Sequence, residues 1–130
     1  MIQASQSILG KKVGVLGVTQ SSDSDAIENA RVENLLQGLL SYDCQVQVHD
    51  PVAEPAAAMA CYDLELCDWD NLKDLDALIL AVPHSWYRSQ PIEAFIQKLN
   101  AKGCLIDVQG IFNPEEVRKF CVRFWQGRGY

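Results

Sequence analysis

An α/β fold, a Rossmann-like three-layer sandwich with a mainly parallel sheet of five to six strands, is predicted by three features of this 130-residue sequence. Apolar runs of strand length recur at residues 12–18, 77–82 and 104–108. Stretches of helical periodicity separate them, and each run breaks into a polar turn at its carboxyl end. Strictly alternating strands and helices with short connections give parallel sheets with right-handed crossovers.

The first strand holds Val13, Val15, Leu16 and Val18, with Gly14 and Gly17 as punctuation. A polar stretch over residues 19–25 follows, and then Val32, Leu35, Leu36, Leu39 and Leu40 fall on one helical face. Asp25 and Glu28, three apart, have the spacing of a capping box for this helix. Cys44, Val46 and Val48 alternate with Gln45 and Gln47, which marks a second strand stopped at Pro51. Pro55 is placed to open a short helix over residues 56–61, and Leu64 and Leu66 form a brief extended segment. Residues 69–75 suit another short helix capped by Asp68. The unbroken run 77–82 reads as a central strand covered on both faces. Pro91 starts a helix carrying Ile92, Phe95, Ile96 and Leu99, and residues 101–103 make the turn into the strand 104–108. Asn113 caps a helical turn at residues 114–117, and residues 121–125 alternate as an edge strand. Residues 1–9 read as a leader or linker, and residues 10–130 as one domain.

Composition narrows the function. A formal charge of -6 argues against nucleic acid or an anionic membrane as a partner. Five cysteines without a pairing pattern, and no signal peptide or membrane-length apolar stretch, point to a reducing, cytoplasmic compartment. Gly14 and Gly17 lack the third glycine of a dinucleotide fingerprint, and no Gly-Lys-Ser/Thr follows the strand. His49 and His84 are the only histidines, and no metal-ligand spacing is present. Nothing near His84 in sequence offers a nucleophile or an orienting acid, so it reads as a loop residue bonded to backbone. Trp86 and Tyr87 read as a lid over the sheet edge. Open parallel sheets bind ligands at the carboxyl ends of their strands, so the turn after the first strand is the expected site.

An ordered series of short motifs carries a resemblance. Residues 11–19 (Lys-Lys-Val-Gly-Val-Leu-Gly-Val-Thr) are followed by Asn29-Ala30-Arg31-Val32, then Val48-His49-Asp50-Pro51. Residues 76–84 end in Val82-Pro83-His84, and the series closes with Leu105-Ile106-Asp107-Val108-Gln109-Gly110, Asn113-Pro114-Glu115-Glu116-Val117 and Arg123-Phe124-Trp125. In order and spacing these resemble the carboxy-terminal domain of UDP-glucose/GDP-mannose dehydrogenases, nearest to the branch that oxidises UDP-N-acetylhexosamines in polysaccharide synthesis.

The resemblance implies a UDP-sugar-binding domain, one third of an NAD-dependent 6-dehydrogenase and not catalytic by itself. NAD and the catalytic residues belong to other domains of such enzymes, so no cofactor is expected for this chain alone. The partners implied are a UDP-sugar, and either a homo-oligomer or the remaining dehydrogenase domains. Carried over by position, Thr19, Gln20, Ser21, Asn29, His84 and Gln109 are substrate-facing. The sequence departs from the family pattern at three cations: Ser21 replaces a lysine, Glu28 an arginine that would serve the cofactor, and Gln109 a lysine or arginine. Charge-assisted bonds contribute about 1.5–3 kcal/mol each, so losing three predicts phosphate binding weaker by roughly three orders of magnitude or more. An alternative is a free-standing relic of the domain that has exchanged nucleotide binding for self-association.

Overall fold

The computed structural model describes residues 10–120 and 122–127. The leader expected at residues 1–9, and Cys121, lie outside them. Five strands form one sheet: β1 (Lys12–Leu16), β2 (Gln45–His49), β3 (Leu75–Leu80), β4 (Leu99–Asp107) and β5 (Arg123–Gln126). Their order is β2-β1-β3-β4-β5, and every pairing is parallel. The helices are α1 (Ala30–Ser41), α2 (Pro55–Tyr62), α3 (Ser85–Arg88), α4 (Ile92–Ile96) and α5 (Pro114–Val117). The expected three-layer sandwich is therefore present.

Alternation along the strands separates two cores. Val13, Val15 and Ile79 pack on Val32, Leu36 and Leu39 of α1. Leu16, Leu78, Leu80 and Leu105 face the other way, onto Tyr87 of α3 and Phe95 of α4. Tyr87 is fully buried and so belongs to this core rather than to a lid, whereas its neighbour Trp86 is exposed.

Several local expectations are corrected. Helix α1 begins at Ala30, and its cap is Asn29, whose side-chain oxygen accepts from Arg31 and Val32 N–H. Asp25 and Glu28 lie before the helix, so their spacing does not make a capping box. Residues 69–71 form only a 3-10 turn, without a side-chain cap bond from Asp68. Residues 101–103 lie inside β4, which starts at Leu99 and shifts register between the Leu75 and Ala77 pairings. Strand β3 starts at Leu75 and ends at Leu80, two residues earlier than the apolar run suggests at each end. Helix α3, over the residues taken for the lid, is an addition. The extended segment at Leu64 and Leu66 adds only a single bridge, Val48 to Leu66, so the sheet has five strands.

Gly17 is the position where glycine is required. Its φ is +92°, and a Cβ there would lie 2.5 Å from Val82 Cβ and 2.8 Å from Val82 backbone N and O. Backbone cannot retreat as a side-chain tip can, so Gly17→Ala is expected to lose about 3 kcal/mol or more in urea unfolding. A loss near zero would mean that the β1 terminus does not run this close to β3.

Candidate functional site

The strand order reverses between β1 and β3. The chain leaves β1 for β2 on one side and resumes as β3 on the other. Connections depart in opposite directions at such a point, leaving a crevice beyond the carboxyl ends of the strands. A cleft of about 960 Å³ lies there. Gln20, Ser21 and Ser22 from the turn after β1 form one wall, and Ala81, Val82 and Pro83 after β3 form another. Val108 and Gln109 after β4 and residues 28–32 with Leu35 from the start of α1 complete it.

Five of the residues assigned from sequence, Gln20, Ser21, Glu28, Asn29 and Gln109, thus line one cleft. Asn29 is committed locally: besides capping α1, its Nδ2 donates to the Thr19 carbonyl at 2.8 Å. Gln109 Nε2 donates to the Ala81 carbonyl at 3.1 Å, bridging the ends of β4 and β3. Thr19 and His84 are both 0% exposed and lie beneath the walls. Arg31 also lines the cleft, a cation that was not among the residues assigned from sequence.

What stands behind the walls is a buried polar network joining three strand ends. His84 Nε2 lies 2.9 Å from Asp50 Oδ2 and 3.0 Å from Thr19 Oγ1. Its Nδ1 accepts the Asp23 backbone N–H at 2.8 Å, so the ring carries its proton on Nε2 and donates it toward Asp50. The Thr19 hydroxyl donates to the Ser21 carbonyl. Asp50 also accepts from Val18 N–H through Oδ2, and from Val52 and Ala53 N–H through Oδ1. Burial opposes ionisation of Asp50, but the bonds from His84, Val18, Ala53 and Val52 outweigh it and hold the carboxyl below its ordinary value. An orienting acid therefore does accompany His84, supplied by the end of β2. Acid and hydroxyl sit on the same ring nitrogen, however, and neither is exposed, which is an arrangement for holding loops rather than for proton transfer to a ligand.

Asp107 plays a similar part after β4, fully buried and accepting from Gly110, Ile111 and Phe112 N–H and from Gln126 Nε2. That turn presents Gln109. Asp23, by contrast, is exposed at the surface of the β1 turn. The hydroxyl and backbone N–H of Ser85 bond its carboxylate and hold it below its ordinary value. Its charge is thereby tied to the start of α3, away from α1.

On the opposite face, His49 Nδ1 donates to Tyr87 Oη at 2.8 Å, and that hydroxyl donates to the His49 carbonyl at 2.9 Å. The imidazole packs against Trp69 and Trp86, which also contact each other. Burial pushes His49 down to about 4, with Asp50 opposing the shift and Lys98 adding to it. A depressed histidine keeps its stabilising neutral form above its unfolded value and loses it as pH falls. Unfolding free energy should accordingly drop by about 3 kcal/mol at most between pH 6.5 and pH 4. His49→Phe should flatten that segment of a pH series of urea titrations. An unchanged slope would place the titration elsewhere.

Among the described residues, no group of three or more His, Cys, Asp or Glu could hold a metal ion, and no helix is long and apolar enough to cross a membrane. Among the described residues, Cys44, Cys61, Cys67 and Cys104 form no disulfide.

Comparison with known proteins adds sequence and fold relationships. The family model described as "UDP-glucose/GDP-mannose dehydrogenase family, UDP binding domain" matches residues 14–114. Protein CapL of Staphylococcus aureus is 29% identical over 119 residues, covering 92% of this chain and 28% of CapL. UDP-N-acetyl-D-glucosamine 6-dehydrogenase of Pseudomonas aeruginosa is 25% identical over 107 residues, covering 82% of this chain and 25% of that enzyme. The chain thus spans about a quarter of the length of these relatives. Among solved structures, NDP-N-acetyl-D-galactosaminuronic acid dehydrogenase from Methanosarcina mazei Go1 superposes with a TM-score of 0.80 at 23% identity, over 96% of this chain and 27% of that one. The UDP-N-acetyl-mannosamine dehydrogenase Cap5O from S. aureus gives 0.61 at 21% identity, over 99% and 27%. These superpositions show the shared fold.

Proposed function

The chain belongs to the UDP-glucose/GDP-mannose dehydrogenase family, and we propose on that basis that it is the nucleotide-sugar-binding part of an NAD-dependent UDP-sugar 6-dehydrogenase. The observation that carries this reading is the cleft at the β1/β3 reversal, where Gln20, Ser21, Arg31 and Gln109 converge. The uridine diphosphate lies across the turn after β1. Ser21, Gln20 and Gln109 act as neutral donors and Arg31 as the cation for the phosphates, while Asn29 shapes the rim. Thr19 and His84 contribute from beneath, through the backbone they hold. Oxidation of the sugar and most of the NAD contact fall to other domains of the dehydrogenase. Five cysteines without a pairing pattern support a reducing, cytoplasmic setting.

Affinity in this chain alone is weak. One guanidinium shares the cleft with the carboxylate of Glu28, and two of the other positions carry only neutral groups. Calorimetry of the chain with UDP and with UDP-N-acetylglucosamine is expected to give saturable binding in the high-micromolar to millimolar range, with similar constants for both ligands. A flat titration at millimolar ligand contradicts the reading.

A further inference from the structure

We infer that Asp23, His84 and Asp50 form a latch that sets the shape of the ligand wall, with His84 as a positioning residue that no ligand touches. The inference rests on the reading of the cleft as a nucleotide site and adds to it the part that determines its geometry. His84 is wholly buried, yet its two ring nitrogens serve different loops. Through Nε2 it is aimed by Asp50, whose carboxylate gathers the ends of β1 and β2. Through Nδ1 it takes the N–H of Asp23, which lies in the turn that supplies Gln20, Ser21 and Ser22 to the cleft.

The same turn is fastened twice more on its outer side. Asp23 grips Ser85 through backbone and hydroxyl, and Ser22 Oγ donates to the Pro83 carbonyl at 2.7 Å. Asp23 has a φ of 63°, a left-handed turn conformation that aspartate tolerates better than most residues and that Asp43, Asp63 and Asp74 also adopt. Residues 20–25 carry no apolar side chain to fix them against the sheet, and Ile27 packs on the core only beyond them. Polar bonds to the segment 83–85 therefore determine where the donors of Gln20 and Ser21 point.

Because the two nitrogens do separate work, two amides can separate them. In His84→Gln the side-chain amide reaches about as far as Nε2 and keeps a donor for Asp50 and Thr19, while the acceptor for Asp23 is lost. In His84→Asn the amide oxygen stands near the place of Nδ1 and keeps the Asp23 bond, while Asp50 loses its partner. UDP affinity by calorimetry, melting temperature and exchange of the Asp23 amide are measured in the wild type and both variants.

His84→Gln is expected to melt within a few degrees of wild type, to expose the Asp23 amide to exchange, and to bind UDP about tenfold or more weakly. His84→Asn is expected to melt lower, to keep the Asp23 amide protected, and to bind UDP within about threefold of wild type below its melting range. Asp23→Gly accepts the left-handed backbone and leaves the buried ring intact. It is expected to weaken UDP binding about fivefold with little change in melting, and it keeps the inference testable if His84→Asn does not fold. The latch is overturned if His84→Gln or Asp23→Gly binds UDP as the wild type does, or if the wild-type Asp23 amide exchanges as freely as an open loop. Absence of UDP binding by the wild type counts against the nucleotide reading instead, and Asp23 protection in His84→Gln against wild type then decides the latch.

Discussion

Asp50→Ala is expected to destabilise the domain by about 4 kcal/mol or more, the largest loss foreseen for any single substitution outside the apolar core. The carboxylate accepts from Val18, Val52 and Ala53 N–H and from His84 Nε2. Truncation leaves those four donors facing a methyl group in a region where Val18 and His84 are 0% exposed. Each buried donor left unsatisfied costs about 1–3 kcal/mol, partly recovered where water can enter. Since small domains are stable by only about 5–15 kcal/mol in total, the variant should sit near its unfolding threshold. Asp50→Asn keeps the acceptor that serves Val52 and Ala53 but turns an N–H toward Val18 and His84, so about half the loss is expected. Urea titration of the three proteins distinguishes these values. An Asp50→Ala midpoint equal to wild type would mean that the three strand ends are held by packing alone.

Glu28→Arg is expected to tighten UDP binding by about tenfold or more. Glu28 lines the cleft with Arg31 but is not a helix cap, since Asn29 fills that role. Its carboxylate is therefore not engaged as a capping-box partner and borders the cleft proposed to take the phosphates. Reversing the charge removes a repulsion and adds a second cation. Glu28→Gln, which only removes the repulsion, should gain about threefold. Both gains should shrink in concentrated salt, because the groups are at the surface and screened. Equal affinity for Glu28→Arg and wild type would show that the phosphates bind elsewhere.

The sheet was legible in the sequence because its central strands are buried on both faces. Residues 13–16 and 77–80 then have no polar side to obscure the run, whereas Asp76 hides the start of β3, and Asn100 and Lys102 at the opening of β4 disguise that strand as a turn. Helix α1 announced itself through Val32, Leu36 and Leu39, yet its start was misread. Asp25 and Glu28 satisfy the spacing of a cap, and only the backbone conformation reveals that Asn29 does the capping. The cleft could be located because strand carboxyl ends follow from alternation, whereas the reversal of strand order appears only in the structure. Its supporting network could not. Thr19 and His84 are 65 positions apart, and His84 and Asp50 are 34 apart, so no periodicity or local spacing relates them. Asp23 is one more acid before α1 in the sequence, and only three-dimensional contact binds it to Ser85. Arg31, one residue inside the helix, gave no sign that it borders the cleft.

The central claim is that a uridine diphosphate occupies the crevice between the ends of β1 and β3. An amide-resolved NMR titration with UDP tests it most directly. The account predicts shifts that saturate together and concentrate at residues 20–22, 29–32 and 109. Saturating shifts centred on the Trp69 and Trp86 face, or on the exposed β5 edge, would contradict it.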